Sequence, residues 1–147
     1  MNYDNIILTS AAKRKLKDAG VAVVYFFGSR AAKTNFTFSD IDIGIVLEKD
    51  LLKSGNIQKI YNCIYDILSS EILHELNAPK LDISFLQKSN PILAMKAIQE
   101  GKILFESSGK LRADFEEATF IRYDDYSMLQ REYEDANLKA FENPVEK

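Results

Sequence analysis

The run Val21 to Phe27 (VAVVYFF) constrains this chain more than any other segment. It is β-branched and aromatic, and no polar residue alternates through it. Such a run fits a short strand buried on both faces of a sheet. Around it the pattern switches period. Thr9 to Ala19 reads as a helix, capped by Thr9 or Ser10, with Leu16 and Ala19 inward and Gly20 as its stop. Ile41 to Leu47 (IDIGIVL) alternates, with Ile41, Ile43, Ile45 and Leu47 on one face and Asp42, Gly44 and Val46 on the other. Lys53 to Asn56 forms a turn. Ile57 to Leu76 is a long helix, with Ile57, Ile60, Tyr61, Ile64, Ile67, Leu68 and Ile72 at helical spacing.

A third strand follows at Lys80 to Leu86 (KLDISFL), with Asp82 and Ser84 on one face and Leu81, Ile83 and Phe85 on the other. Asn90-Pro91 starts a helix that runs through Glu100 and stops at Gly101. Ile103 to Phe105 is a short edge strand. Lys110 to Phe141 reads as one or two helices, whose apolar stripe is interrupted by Arg122 and Tyr126. The expected fold class is α/β (α+β), a mixed β-sheet with helices packed on one face and a helical C-terminal tail. The expected division is 1–108 for the sheet domain and 109–147 for a helical extension. That extension is either part of the same compact unit or a partner interface.

Composition excludes several chemistries. The chain of 147 residues has one cysteine, Cys63, and one histidine, His74. With one of each, serine-triad, Cys–His and zinc-hydrolase readings lose most of their support. Cys63 is expected to be a small buried hydrophobe on a helix, and His74 a helix surface or core residue. The net charge of −3 argues against a stable grip on nucleic acid. No stretch approaches the roughly eighteen consecutive apolar residues of a membrane span. The N-terminus lacks the features of a signal peptide, so the expected location is cytoplasmic.

Chemistry concentrates between Gly28 and Asp42 (GSRAAKTNFTFSDID). A glycine and a hydroxyl between a strand and a helix N-terminus suit a phosphate, because backbone N–H groups point outward there and no Cβ blocks approach. Asp40 and Asp42 are two residues apart at the head of a strand, so their side chains share a side. Two carboxylates so close repel each other unless a cation lies between them. Asp82 adds a third if its strand lies beside theirs. Its burial in an apolar strand would cost several kcal/mol without a partner or metal. Three converging carboxylates suit two Mg²⁺ ions that clamp an in-line phosphoryl displacement.

Gly28-Ser29, ten intervening residues and Asp40-Ile41-Asp42 resemble the G-S-x10-D-x-D signature of the DNA polymerase β-like nucleotidyltransferase superfamily. The strand before it and the later KLDISFL strand fall in the expected order. The short chain is similar to the minimal nucleotidyltransferases, the MNT group, which pair with HEPN toxins in prokaryotes. The resemblance implies a nucleotidyltransferase fold. It implies that Gly28 and Ser29 bind the β- and γ-phosphates of ATP or another NTP, with Arg30 as a further phosphate contact. Asp40, Asp42 and Asp82 would be the catalytic and metal-binding residues, Asp82 also serving as base for the acceptor hydroxyl. Members often read G-S-R-A-R-G, whereas Ala32 and Lys33 stand at the last two positions here, which bears on the loop over the triphosphate.

The implied reaction moves AMP from ATP onto a hydroxyl of a HEPN-type toxin, with this chain as the antitoxin in a homo- or hetero-oligomer. The alternatives are a small-molecule (aminoglycoside-like) nucleotidyltransferase and a non-catalytic antitoxin that neutralises by contact. In the last case Tyr123, Tyr126 and Tyr133, with Arg122 and Arg131, suit an interface, or the tail packs on its own domain or a homodimer mate.

Overall fold

The computed structural model describes residues 6–28, 41–49, 51–76 and 80–142. Among them lie four strands, β1 (Val21–Phe27), β2 (Ile41–Leu47), β3 (Leu81–Phe85) and β4 (Lys102–Glu106). Four α-helices accompany them: α1 (Ser10–Asp18), α2 (Ile57–Leu76), α3 (Pro91–Glu100) and α4 (Gly109–Glu142). The sheet order is β3-β2-β1-β4. β1 pairs antiparallel with both β2 and β4, while β2 and β3 are parallel. A parallel pair needs a crossover, and the 20-residue α2 supplies it.

Helix ends follow local chemistry. The Thr9 side chain accepts from the Ala12 N–H and caps α1. Asn90 caps α3 in the same way through the Ile92 N–H, with Pro91 in the first turn. α2 runs from Ile57 to Leu76 as its periodicity predicts. The tail is one helix of 34 residues, and nothing breaks it between Gly109 and Glu142.

β1 is buried along its whole length. On one side Val24 and Phe26 join Ile41, Ile43 and Ile45 of β2 against Leu16 of α1 and Ile64, Leu68 and Ile72 of α2. On the other, Val23, Tyr25 and Phe27 join Val46 and Leu86 against Ala94 and Ala97 of α3 and Phe115 of α4. The mixed sheet and helical tail are as expected. The layer formed by α1 and α2 is joined by a second, α3 with the first part of α4, and this is why a seven-residue apolar strand can sit in the middle.

Cys63 departs from expectation, being exposed. The buried stripe of α2 is Ile64, Leu68 and Ile72, and Cys63 lies one step, about 100°, away from it. The side chain of His74 lies outside the described residues. Arg122 interrupts the apolar stripe of α4 and ties that helix to the segment after β3. Its guanidinium donates to the carbonyls of Gln87 (3.5 Å) and Ser89 (2.7 Å). Gln87 in turn both donates to and accepts from the Leu47 backbone, at 2.8 Å each way, and so extends the pairing at the end of β2.

Tyr25 is buried, and its hydroxyl donates to Glu116 Oε1 at 2.9 Å. Burial first, and the Glu116 carboxylate second, push its pKa well above the ordinary tyrosine range. An unfolded tyrosine ionises near about pH 10. The stability linked to Tyr25 is thus fully present below that pH and lost as pH climbs toward the raised folded value. Tyr25→Phe is expected to flatten the loss of stability above about pH 10, read as urea midpoints against pH. Equal alkaline slopes for the two proteins would rule this out. Phe115 is 7% exposed and pins α4 to the sheet. Phe115→Ala is expected to cost about 3–5 kcal/mol in urea unfolding, whereas a loss below about 1 kcal/mol would show that the helix is held elsewhere.

Candidate active site

The strand directions bring the site together. β1 runs antiparallel to β2, so the end of β1 meets the start of β2, and Phe27 faces Asp42 in register. β3 runs parallel to β2, so its start lies at the same end of the sheet, and Asp42 faces Asp82 in register. Neighbouring strands are about 4.8 Å apart, and residues in register project to the same face. Asp42 and Asp82 therefore stand side by side, next to Gly28 at the close of β1.

Gly28 has φ +83°, a conformation that side chains disfavour. A Cβ built there would lie 2.0 Å from Asp42 Oδ2. The Asp42 carboxylate thus occupies the space a side chain at 28 would take. This is a second reason for the glycine, distinct from the approach of a phosphate. On the same face of β2, a Cβ at Gly44 would come within 2.7 Å of the Leu86 side chain. That close approach lets the segment after β3 fold over β2.

Asp42 is half-buried and Asp82 exposed. The exposure of Asp82 corrects one expectation: no desolvation cost argues for a metal at this residue, since β3 is an edge strand. Register with Asp42, not burial, associates it with the site. Ser29, Arg30 and Asp40 lie outside the described residues, as do Ala32 and Lys33. Among the described residues no group of three His, Cys, Asp or Glu side chains could hold a metal ion. The described part of the site is the Asp42–Asp82 pair, two hard oxygen donors of the kind that suit Mg²⁺.

The network under α4 was not anticipated from the sequence. Tyr25 bonds Glu116. Arg112 Nε stands 3.2 Å from Glu106 Oε2 without the alignment of a hydrogen bond, and its Nη1 lies 3.8 Å from Glu116 Oε1. The available signal was a tyrosine in a strand buried on both sides, whose hydroxyl needs a partner.

A mixed sheet with carboxylates at the heads of two adjacent strands, beside a glycine ending a third, defines a nucleotidyltransferase fold. The family model described as Polymerase beta, Nucleotidyltransferase matches residues 11–110, and the chain belongs to that family; it is a nucleotidyltransferase. No curated protein sequence matches it. Several solved structures share the fold. One is a toxin–antitoxin complex with AMP-PNP, at 21% identity and TM-score 0.60, covering 85% of this chain and 94% of the other. A second, from Shewanella oneidensis, is 17% identical with TM-score 0.56, covering 88% and 98%. A third is the tri-AMPylated Shewanella oneidensis HEPN toxin in complex with MNT antitoxin, at 21% identity and TM-score 0.51, covering 87% and 91%. At these identities the likeness is one of fold. Among the described residues no helix is long and apolar enough to cross a membrane.

Gly28→Ala is expected to displace the Asp42 carboxylate. Strain at positive φ should cost about 1–2 kcal/mol of stability, while nucleotidyl transfer falls at least tenfold. A variant with wild-type activity would show that Asp42 can move without consequence.

Proposed function

We propose that this chain is a cytoplasmic antitoxin that transfers AMP from ATP onto a hydroxyl of a HEPN-type toxin. The observation that carries this reading is the pairing in register of Asp42 with Asp82, closed on one side by Gly28. Two of the fold neighbours add weight, one a toxin–antitoxin complex with AMP-PNP and one a complex whose HEPN toxin is AMPylated.

In this reading Asp40, Asp42 and Asp82 would hold two Mg²⁺ ions. The donor chemistry of the described pair fits them, because a half-buried and an exposed carboxylate side by side offer several oxygens to a hard cation. Bound there, the ions would supply Lewis-acid stabilisation of the triphosphate. The chain's own residues do the rest. Gly28 and Ser29 seat the β- and γ-phosphates, and Arg30 offers a further phosphate contact. Asp82, facing solvent, can accept the proton of an incoming hydroxyl. The acceptor oxygen then bonds to the α-phosphorus as the bond to pyrophosphate breaks. Residues 1–108 form the nucleotidyltransferase domain and 109–147 its helical extension.

The test is transfer of α-labelled ATP to a purified HEPN partner. Asp42→Asn and Asp82→Asn are each expected to lower the rate more than about a hundredfold, and chelating Mg²⁺ should stop transfer. Transfer that survives both substitutions would sink the aspartate assignment. Label that moves onto an aminoglycoside without a partner would favour the small-molecule reading. Toxin neutralisation that persists in both variants would favour neutralisation by contact.

A further inference from the structure

α4 spans about 51 Å at 1.5 Å per residue, and among the described residues it is buried or half-buried only over its first part. Phe115 and Thr119 are buried, and Arg122, Tyr126 and Ser127 are half-buried. From Met128 to Phe141 every residue is exposed. Large apolar side chains lie on this projecting part, with Leu129 65%, Tyr133 69%, Leu138 60% and Phe141 90% exposed. The face held to the body through Leu111, Phe115 and Arg122 is prolonged by Leu129, Tyr133 and Ala136 at helical spacing. Leu129, Tyr133 and Ala136 form one exposed strip edged by the carboxylates of Asp125 and Glu132, while Leu138 and Phe141 point to other sides of the helix. An exposed apolar strip edged by charge marks an interaction surface.

We infer that the projecting half of α4 is the docking site for the acceptor protein, and that the acceptor meets it with an apolar groove edged by lysine and arginine. The inference rests on the protein-acceptor reading above. Charge selects the occupant. From Tyr123 to Glu142 carboxylates outnumber cations six to two, and the whole chain carries −3. A second copy would bring like charge against like, which disfavours pairing, whereas a basic surface is attracted. Position supports the same occupant. α4 leaves the body where Arg122 holds the carbonyls of Gln87 and Ser89, just after β3. Asp82 stands near the other end of β3, within roughly 20 Å at about 3.3 Å per residue. Leu129 and Tyr133 lie roughly 10 and 16 Å beyond Arg122 along the helix, so a folded protein domain seated on them is large enough to extend to the carboxylates.

The experiment uses the full chain and the purified acceptor protein. Leu129→Glu with Tyr133→Glu is expected to weaken binding at least tenfold and to slow transfer at limiting acceptor. The melting temperature and pyrophosphate release from ATP without acceptor should stay unchanged. Asp125→Lys with Glu132→Lys, the carboxylates about one turn to either side of Leu129, is expected to weaken binding as well, and added salt should weaken the wild-type complex. Wild-type affinity in the Leu129/Tyr133 variant overturns the docking site, even if Asp42→Asn abolishes transfer. Affinity unchanged or improved by the charge reversal overturns the basic partner. Loss of binding by the Leu129/Tyr133 variant, from a wild-type chain that transfers nothing, supports docking while overturning the transfer reading. Self-association of the wild type in light scattering, abolished by the same variant, assigns the face to a second copy and overturns the proposal.

Discussion

The antiparallel pairing of β1 with β2 is the constraint on which the rest depends. β1 is a fully buried strand, and such a strand is stable only when neighbours on both edges satisfy its backbone and helices cover both faces. β2 and β4 supply the edges; α1 and α2, then α3 and α4, supply the faces. With β1 fixed in the centre, its end and the start of β2 must lie together, so Gly28 is brought against Asp42. The crossover through α2 then returns the chain parallel to β2 and sets Asp82 beside Asp42. The site is thus a consequence of strand direction more than of local loop chemistry.

The two carboxylates are held differently, and this bears on their work. Asp42 is half-buried, with its oxygen in the space that the absent side chain of residue 28 leaves open. Asp82 stands exposed on an edge strand, without a burial penalty and open to an approaching substrate. A positioned group next to an accessible one suits a reaction that must hold one reactant and admit another. α4 extends the same logic. Its first half is structural, tied down by Phe115, the Tyr25–Glu116 bond and Arg122, while its second half leaves the body with apolar side chains in water.

Much of the fold was legible because it follows local rules. The periodicity of α2, the Asn90-Pro91 start of α3 and the alternation of β2 each depend on neighbours in the chain, and each element stands where the pattern put it. Cys63 was misplaced because a residue one position from a buried stripe can fall on either side of a helix. The apolar neighbours of Asp82 suggest a costly burial, yet an edge strand offers one side to water. The role of Arg122 was hidden, since its partners are backbone carbonyls more than thirty residues away.

The sequence by itself determined the strands, the helices and the Gly-Ser and Asp-x-Asp spacing that marks the family, since these are short-range patterns of period and composition. Only the tertiary structure decided that Asp82 stands in register with Asp42, that the glycine makes room for a carboxylate, and that half of the long helix is left uncovered. Those facts depend on which strand lies beside which and where the packed body ends. Both are set by the burial of distant residues against one another, which no local pattern encodes.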